Sequence, residues 1–259
     1  MVGRIMEKKS FEITGTGLKL IAVITMFIDH IGAGLLEVWL TNNVNNIPQE
    51  LYGQVFLVDA ILRSIGRMAF PIYCYMLVEG FLHTRNIKKY ALRLFAIAVL
   101  SEVPFDYLFR RSLFDLNYNN VLWTLLLGLA VLYTYSLIDN LEINVYAKYA
   151  GRILVMFAGM GLAYFAHLDY KMAGVTCISV MYYLNGPTKK QRLLSFGMGV
   201  LMLTMMSSVL EVFAFLMLIP IAHYDGKRGA DSVALRRFFY FFYPAHIVFL
   251  GLVAYVLKI

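Results

Sequence analysis

Charge is what this chain has least of. Asp, Glu, Lys and Arg make up 15% of its 259 residues, against 60% hydrophobic, whereas soluble domains carry about a quarter charged residues. A soluble globule of this length still needs a polar surface, and the residues to make one are missing. A mean hydropathy of +0.68 points the same way. Short alternating segments of about ten residues, the mark of an outer-membrane barrel, are also absent; the apolar runs are longer and continuous. Cysteine is nearly absent. Cys74 and Cys177 both fall in apolar segments, which excludes a disulfide framework and a zinc pattern, so no metal is expected. Residues 1–17 are mixed and polar, and the apolar segment after them is too long for a signal-peptide core, so it reads as a first span. No repeat, low-complexity tail or composition shift divides the chain. What remains is an all-α, polytopic transmembrane bundle, one domain over residues 1–259, with the lipid bilayer as solvent.

Apolar stretches near the 20 residues a span needs occur at 18–40, 55–82, 90–109, 120–138, 150–167, 171–186, 193–207, 208–224 and 237–257. The run 193–224 would measure about 48 Å as one helix, against a hydrocarbon core of about 30 Å. It is expected to split near Ser207-Ser208, giving nine spans, or seven plus a re-entrant hairpin. Threading the segments alternately from an inside N-terminus puts 17 of the 23 Lys and Arg residues on the cytoplasmic face, Arg4, Lys8 and Lys9 among them, and four (Arg110, Arg111, Lys171, Lys258) on the far face. That bias predicts an N-in, C-out orientation. The loop "TNNVNNIPQELYG", expected on the far side, has no basic residue. The net charge of +7 therefore reflects topology, and no nucleic-acid partner is needed to explain it.

Against this background the ionisable residues inside spans stand out, because each costs about 2.5–3.5 kcal/mol near the bilayer centre. "MFIDHIGAGLL" holds Asp29 and His30 side by side. Neighbours on a helix diverge by about 100°, so one is expected to face a site while the other pairs with an adjacent helix. A neutral imidazole accepts a proton near neutrality, which makes His30 the better candidate for chemistry. "RSIGRMAFPIY" sets Arg63 and Arg67 on one helix face, with Pro71 four residues on. A bend is expected at that proline, and Asp29 is the expected partner of Arg67. "EGFLHTRNIKKYALRL" gathers His83, Arg85, Asn86, Lys88, Lys89 and Arg93, and "YDGKRG" adds Lys227 and Arg228. Basic side chains beside a helix N-terminus suit a phosphate-bearing ligand, although plain positive-inside topology explains them too. "SEVPFDYLF" places Glu102 and Asp106 toward the far side, where they would orient an amine. "FFYPAHI" places His246 in the last span.

The blocks "LKLIAVITMFIDHIG", "RSIGRMAFPIYCYMLVEGFLHTRNIKKYALRL", "SEVPFDY", "YDGKRG" and "FFYPAHI", in this order along nearly the whole chain, resemble the TraX family of conjugal-transfer membrane proteins. The family is named for an inner-membrane protein that N-acetylates pilin. It is similar to transmembrane acyltransferases that draw on cytoplasmic acyl-CoA and use a membrane-embedded histidine. The resemblance implies a bacterial inner-membrane acetyltransferase whose acyl donor is acetyl-CoA. The acceptor would be a peptide or small molecule bearing an amine or hydroxyl. His30 would be the base, Asp29 would hold the arrangement, and Arg67, or a helix-end amide, would stabilise the thioester oxyanion. The basic rim would hold the CoA phosphates, and a polar path would admit the pantetheine arm. Glu102, Asp106 and His246 would lie on the acceptor side. Direct transfer and an acyl-histidine intermediate both fit. The alternative classes are a proton-coupled transporter, since buried Asp, Glu, His and Arg also mark ion paths, and a non-catalytic assembly partner.

Overall fold

A computed structural model describes residues 12–259. Arg4, Lys8 and Lys9, counted above on the inner face, lie outside the described residues. The first helix, α1 (Gly15–Ile31), is capped by the Thr14 hydroxyl, which accepts the Gly17 N–H. It continues through a π turn, Gly32–Leu36, into α2 (Glu37–Asn43). Glycine is needed inside that turn because neighbours approach the backbone. A Cβ on Gly34 would sit 2.8 Å from the Leu108 side chain, and one on Gly32 would sit 2.9 Å from Asp59 Oδ1.

The segment expected as one span at 55–82 is two helices, α3 (Gln49–Gly66) and α4 (Ala69–His83), broken at Arg67-Met68. The bend expected at Pro71 therefore falls a turn earlier. A proline ring clashes with the carbonyl four residues back, here that of Arg67, so the helix gives way there and restarts with Pro71 in its first turn. The following helices begin with side-chain caps: Asn86 on α5 (Ile87–Arg110), Asn120 on α6 (Val121–Asp139) and Asn144 on α7 (Val145–Phe165). α8 (Lys171–Leu184) follows a left-handed Tyr170, and α9 (Lys189–Met206) opens on a Thr188/Gln191 capping box.

The break expected near Ser207-Ser208 is present. The chain turns there into a 3-10 segment, Val209–Met217, and α10 (Leu218–Ala222), which fold back along α9. At about 2.0 Å per 3-10 residue and 1.5 Å per α residue this return leg is about 25 Å long. The last helix, α11 (Val233–Leu257), has Pro244 in its interior.

Helix ends collect at two ends of the bundle. At one end the Gly15 and Thr16 amides donate to the carbonyls of Lys227 and Arg228 (2.8 and 2.9 Å). Asn185 Nδ2 and the Tyr224 hydroxyl donate to Glu79 there (2.7 and 3.3 Å). At the other end Asn119 N donates to His167 O (3.0 Å), and Arg111 donates to the carbonyls of Gly34 (3.4 Å) and Ile259 (3.1 Å). Between them Tyr75, Tyr135, Phe196, Leu132 and Ile178 are fully buried. Outward-facing Leu92, Phe157 and Val256 are more than half exposed. The 15–43, 121–139 and 233–257 helices are long and apolar enough to cross a membrane. Helices that present large apolar side chains outward as well as inward suit a membrane protein.

Candidate functional site

A cavity of about 420 Å³ lies among α1, α3, α4, α5 and the loop before α8. Its wall includes Asp29, His30, Glu37, Arg63, Arg67, Tyr118, Asp169 and Tyr170, with Phe70, Tyr73, Phe105 and Phe109 as apolar facing. Thr41, Asn42 and Arg110 stand at its outer edge. It therefore belongs to the end of the bundle that carries the 110–120 loop.

Asp29 and His30 diverge as neighbours on a helix must, yet both reach this cavity. Asp29 Oδ2 is 2.6 Å from Arg63 Nη1, and Arg63 Nε also lies 3.6 Å from Glu37 Oε2. The expected Asp29–Arg67 pair is corrected by this geometry. α3 runs antiparallel to α1 with Gly66 pressed against the Asp29 side chain, so Arg63, one turn before Gly66, covers Asp29. Arg67 lies past the end of α3, where the helix axis changes. Its Nη1 instead reaches Tyr170 Oη at 3.3 Å and the fully buried Glu211 Oε1 at 3.4 Å.

The His30 ring packs edge-on against Phe109 and Tyr243. Its Nδ1 is 2.7 Å from His246 Nε2, and His246 Nδ1 is 2.7 Å from the Phe242 carbonyl oxygen. His246, expected on the acceptor side, is thus the direct partner of His30. Among the described residues the second nitrogen of His30, Nε2, makes no hydrogen bond, and the ring lines the cavity.

Glu102 and Asp106 do not line it. Glu102 accepts from the Trp123 indole N–H (2.5 Å), from Asn120 N (3.3 Å) and from the Asn120 side-chain amide. Asp106 accepts from Asp115 N at 2.8 Å. Both acids satisfy N–H donors at the start of α6 and in the loop before it, where the backbone groups have no helical partner. Their contacts fasten α5 to the start of α6 and the loop before it. In the same loop the Asn117 backbone and side-chain amides hold the half-buried Asp115 carboxyl below the usual carboxylate range.

The eight residues expected to bind the nucleotide sit at the opposite end of the bundle, all exposed, and none touches the cavity. His83 Nδ1 bonds to the Glu79 carbonyl (2.8 Å), and Asn86 is occupied by capping its own helix through the Lys89 N–H (2.9 Å). Arg93 lies 5.8 Å from the Tyr240 ring centroid. Lys227 faces Asp225 and Glu12, and Arg228 pairs with Asp231 at 2.8 Å. The expected polar path from this face to His30 is filled by Leu18, Ala22, Ile72, Tyr75 and Val78, each fully buried.

Four polar cavity groups escaped the sequence as site residues: Glu37, Tyr118, Asp169 and Tyr170. The Tyr118 hydroxyl donates to Asp169 Oδ1 (3.3 Å), and Tyr170 stacks on Phe70 with centroids 3.8 Å apart. His167, Tyr170 and Lys171 all have positive φ, uncommon for such residues. Three non-glycine residues held left-handed within five positions leave no compositional signal.

Helices that turn apolar faces outward and enclose a charged cavity around a paired histidine define an integral membrane protein with a buried polar site. The chain belongs to the TraX family. The family model, described as TraX protein, matches residues 14–254. The chain is also 30% identical over 267 residues to a probable fimbrial assembly protein FimC, serogroup H1, of Dichelobacter nodosus; the match covers 93% of this chain and 96% of that protein. No solved structure matches it.

Proposed function

We propose that this protein is a multi-pass inner-membrane acyltransferase. It moves an acetyl group from acetyl-CoA to an amine or hydroxyl acceptor, with His30 as general base. One observation carries the reading: His30 presents an imidazole nitrogen free of hydrogen bonds to a charged cavity, with its other nitrogen tied down by His246. In this reading the acceptor enters from the Thr41/Arg110 end. His30 Nε2 takes its proton as the heteroatom attacks the thioester carbon. The C–S bond then breaks, and the proton passes to the departing thiolate. Arg67, held by Tyr170 and Glu211 at hydrogen bonds of 3.3 and 3.4 Å, can turn its guanidinium to the developing oxyanion. The fimbrial-assembly name of the relative favours the terminal amine of a pilus subunit as acceptor.

The CoA phosphates would rest on Arg85, Lys88, Lys89, Arg93, Lys227 and Arg228. From Gly15 to His30 is fifteen residues of helix, about 22 Å, so only the acyl arm would reach the base, and the apolar packing around Leu18 and Tyr75 must open for it. Transfer of labelled acetyl from acetyl-CoA to peptide amines, by wild type and His30→Ala in detergent or bilayers, tests the reading. Loss of a general base is expected to slow transfer by about 10²–10⁴-fold, with elution and CoA retention unchanged. A well-folded His30→Ala protein with full activity would remove His30 from the chemistry. Wild type with no transfer to any amine or alcohol would end the acyltransferase reading.

A further inference from the structure

We propose that His246 is a positioning residue that fixes the tautomer of His30, with the Phe242 carbonyl as the anchor. The inference deepens the acyltransferase reading and rests on it for its consequence, but its physical content stands on the hydrogen bonds alone. A carbonyl oxygen only accepts, so the contact between His246 Nδ1 and Phe242 O at 2.7 Å places a proton on His246 Nδ1. In a neutral imidazole the other nitrogen is then an acceptor. That nitrogen, Nε2, lies 2.7 Å from His30 Nδ1, so His30 must donate from Nδ1. The lone pair of His30 is left on Nε2, the nitrogen without a partner.

The ring geometry agrees. The two imidazoles are inclined by only 12°, with centroids 4.9 Å apart. That separation is close to the 2.7 Å nitrogen contact plus two ring radii. The rings therefore meet edge to edge in nearly one plane, as an N–H···N bond requires, rather than face to face. Phe27 and Phe242 flank His246, and Phe109 flanks His30. The Nδ1–H tautomer is thus specified by a helix carbonyl one turn before His246, and a base at the cavity is held with its lone pair on one defined nitrogen.

The test is nitrogen-15 NMR of histidine-labelled protein in bilayers, with the His30 signals assigned by their loss in His30→Ala. The chain has five histidines, so the spectrum is tractable. Wild-type His30 is expected to show a protonated Nδ1 and a bare Nε2. His246→Gln, whose amide oxygen can still accept from His30 Nδ1, is expected to keep that pattern and most of the activity. His246→Leu is expected to shift His30 toward the Nε2–H form and to lower kcat by about 10–100-fold, by analogy with the orienting partners of metal-bound imidazoles, with KM for the acceptor nearly unchanged. A wild-type His30 protonated at Nε2 would overturn the inference. So would a His246→Leu protein that keeps the Nδ1–H pattern. Should His246→Leu not fold, the wild-type and His246→Gln spectra still decide it. The spectra need no turnover, so failure of the acetyl-transfer assay and failure of this inference are separate results.

Discussion

Gly66 and Gly53 lie on the same helix and meet opposite surroundings. A methyl group on Gly66 would overlap the Asp29 side chain, whereas one on Gly53 meets nothing within 4 Å. Gly66→Ala is therefore expected to push Asp29 off Arg63 and to destabilise the protein by about 1–3 kcal/mol, the usual cost of overpacking. Gly53→Ala should stabilise it by about 0.5–1 kcal/mol, because glycine inside a helix is entropically expensive. Thermal unfolding in one detergent, read side by side, checks both signs. Equal melting points would mean that the Asp29–Gly66 contact does not constrain the fold. The sequence marked Asp29 as costly in a span. It did not show which arginine answers it, because Arg63 and Arg67 share a helix face until the break at Arg67-Met68 separates them.

At the scale of an element, the interruption between α3 and α4 decides what the cavity contains. Pro71 lacks the N–H that would bond the Arg67 carbonyl, and its ring excludes a straight helix there. Restoring the N–H in Pro71→Ala is expected to straighten the segment. Spin labels on Gly53 and Leu82 in a cysteine-free background should then move apart, toward the roughly 43 Å of an unbroken helix. Arg67 should turn away from Glu211 and transfer should slow. An unchanged distance would mean that Arg67 with Tyr170 and Glu211, rather than the proline, holds the break. Glu211 is supplied by the 3-10 segment after the Ser207-Ser208 turn. The sequence indicated the turn there but not its consequence: a fully buried carboxylate delivered to Arg67.

Across the whole molecule, the separation between basic loops and cavity is the feature with the most bearing on mechanism. Single cysteines at Val44 and Asn42 are expected to react with an impermeant maleimide from outside intact cells. A cysteine at Lys88 is expected to react only after the inner face is exposed. The native Cys74 and Cys177 are buried, so background labelling should be low. Labelling of position 44 from the cytoplasm would reverse the orientation and move the cavity mouth to the donor side. If the orientation holds, acceptor and donor approach His30 from opposite faces, and the packed residues around Leu18 and Tyr75 form the barrier that the acyl arm has to part.

The sequence by itself determined the class of structure. Scarce charge, long apolar runs and clustered basic loops leave a helical membrane bundle as the economical way to satisfy the backbone. It marked a helix start near Asn86 and the turn at Ser207-Ser208, both present, but put the bend at Pro71 itself, although the ring acts on the carbonyl four residues back. It singled out His30 and His246 as costly inside spans, and the five blocks that contain them and their neighbours pointed to the family. Only the tertiary structure decided who meets whom. Asp29 with Arg63, Arg67 with Glu211 and His30 with His246 are contacts between residues from 34 to 216 positions apart. Each depends on the crossing of two helices and the rotation of their faces. A helix repeat fixes which residues share a face, but which face turns inward is set by packing against the other helices, and no local pattern carries that.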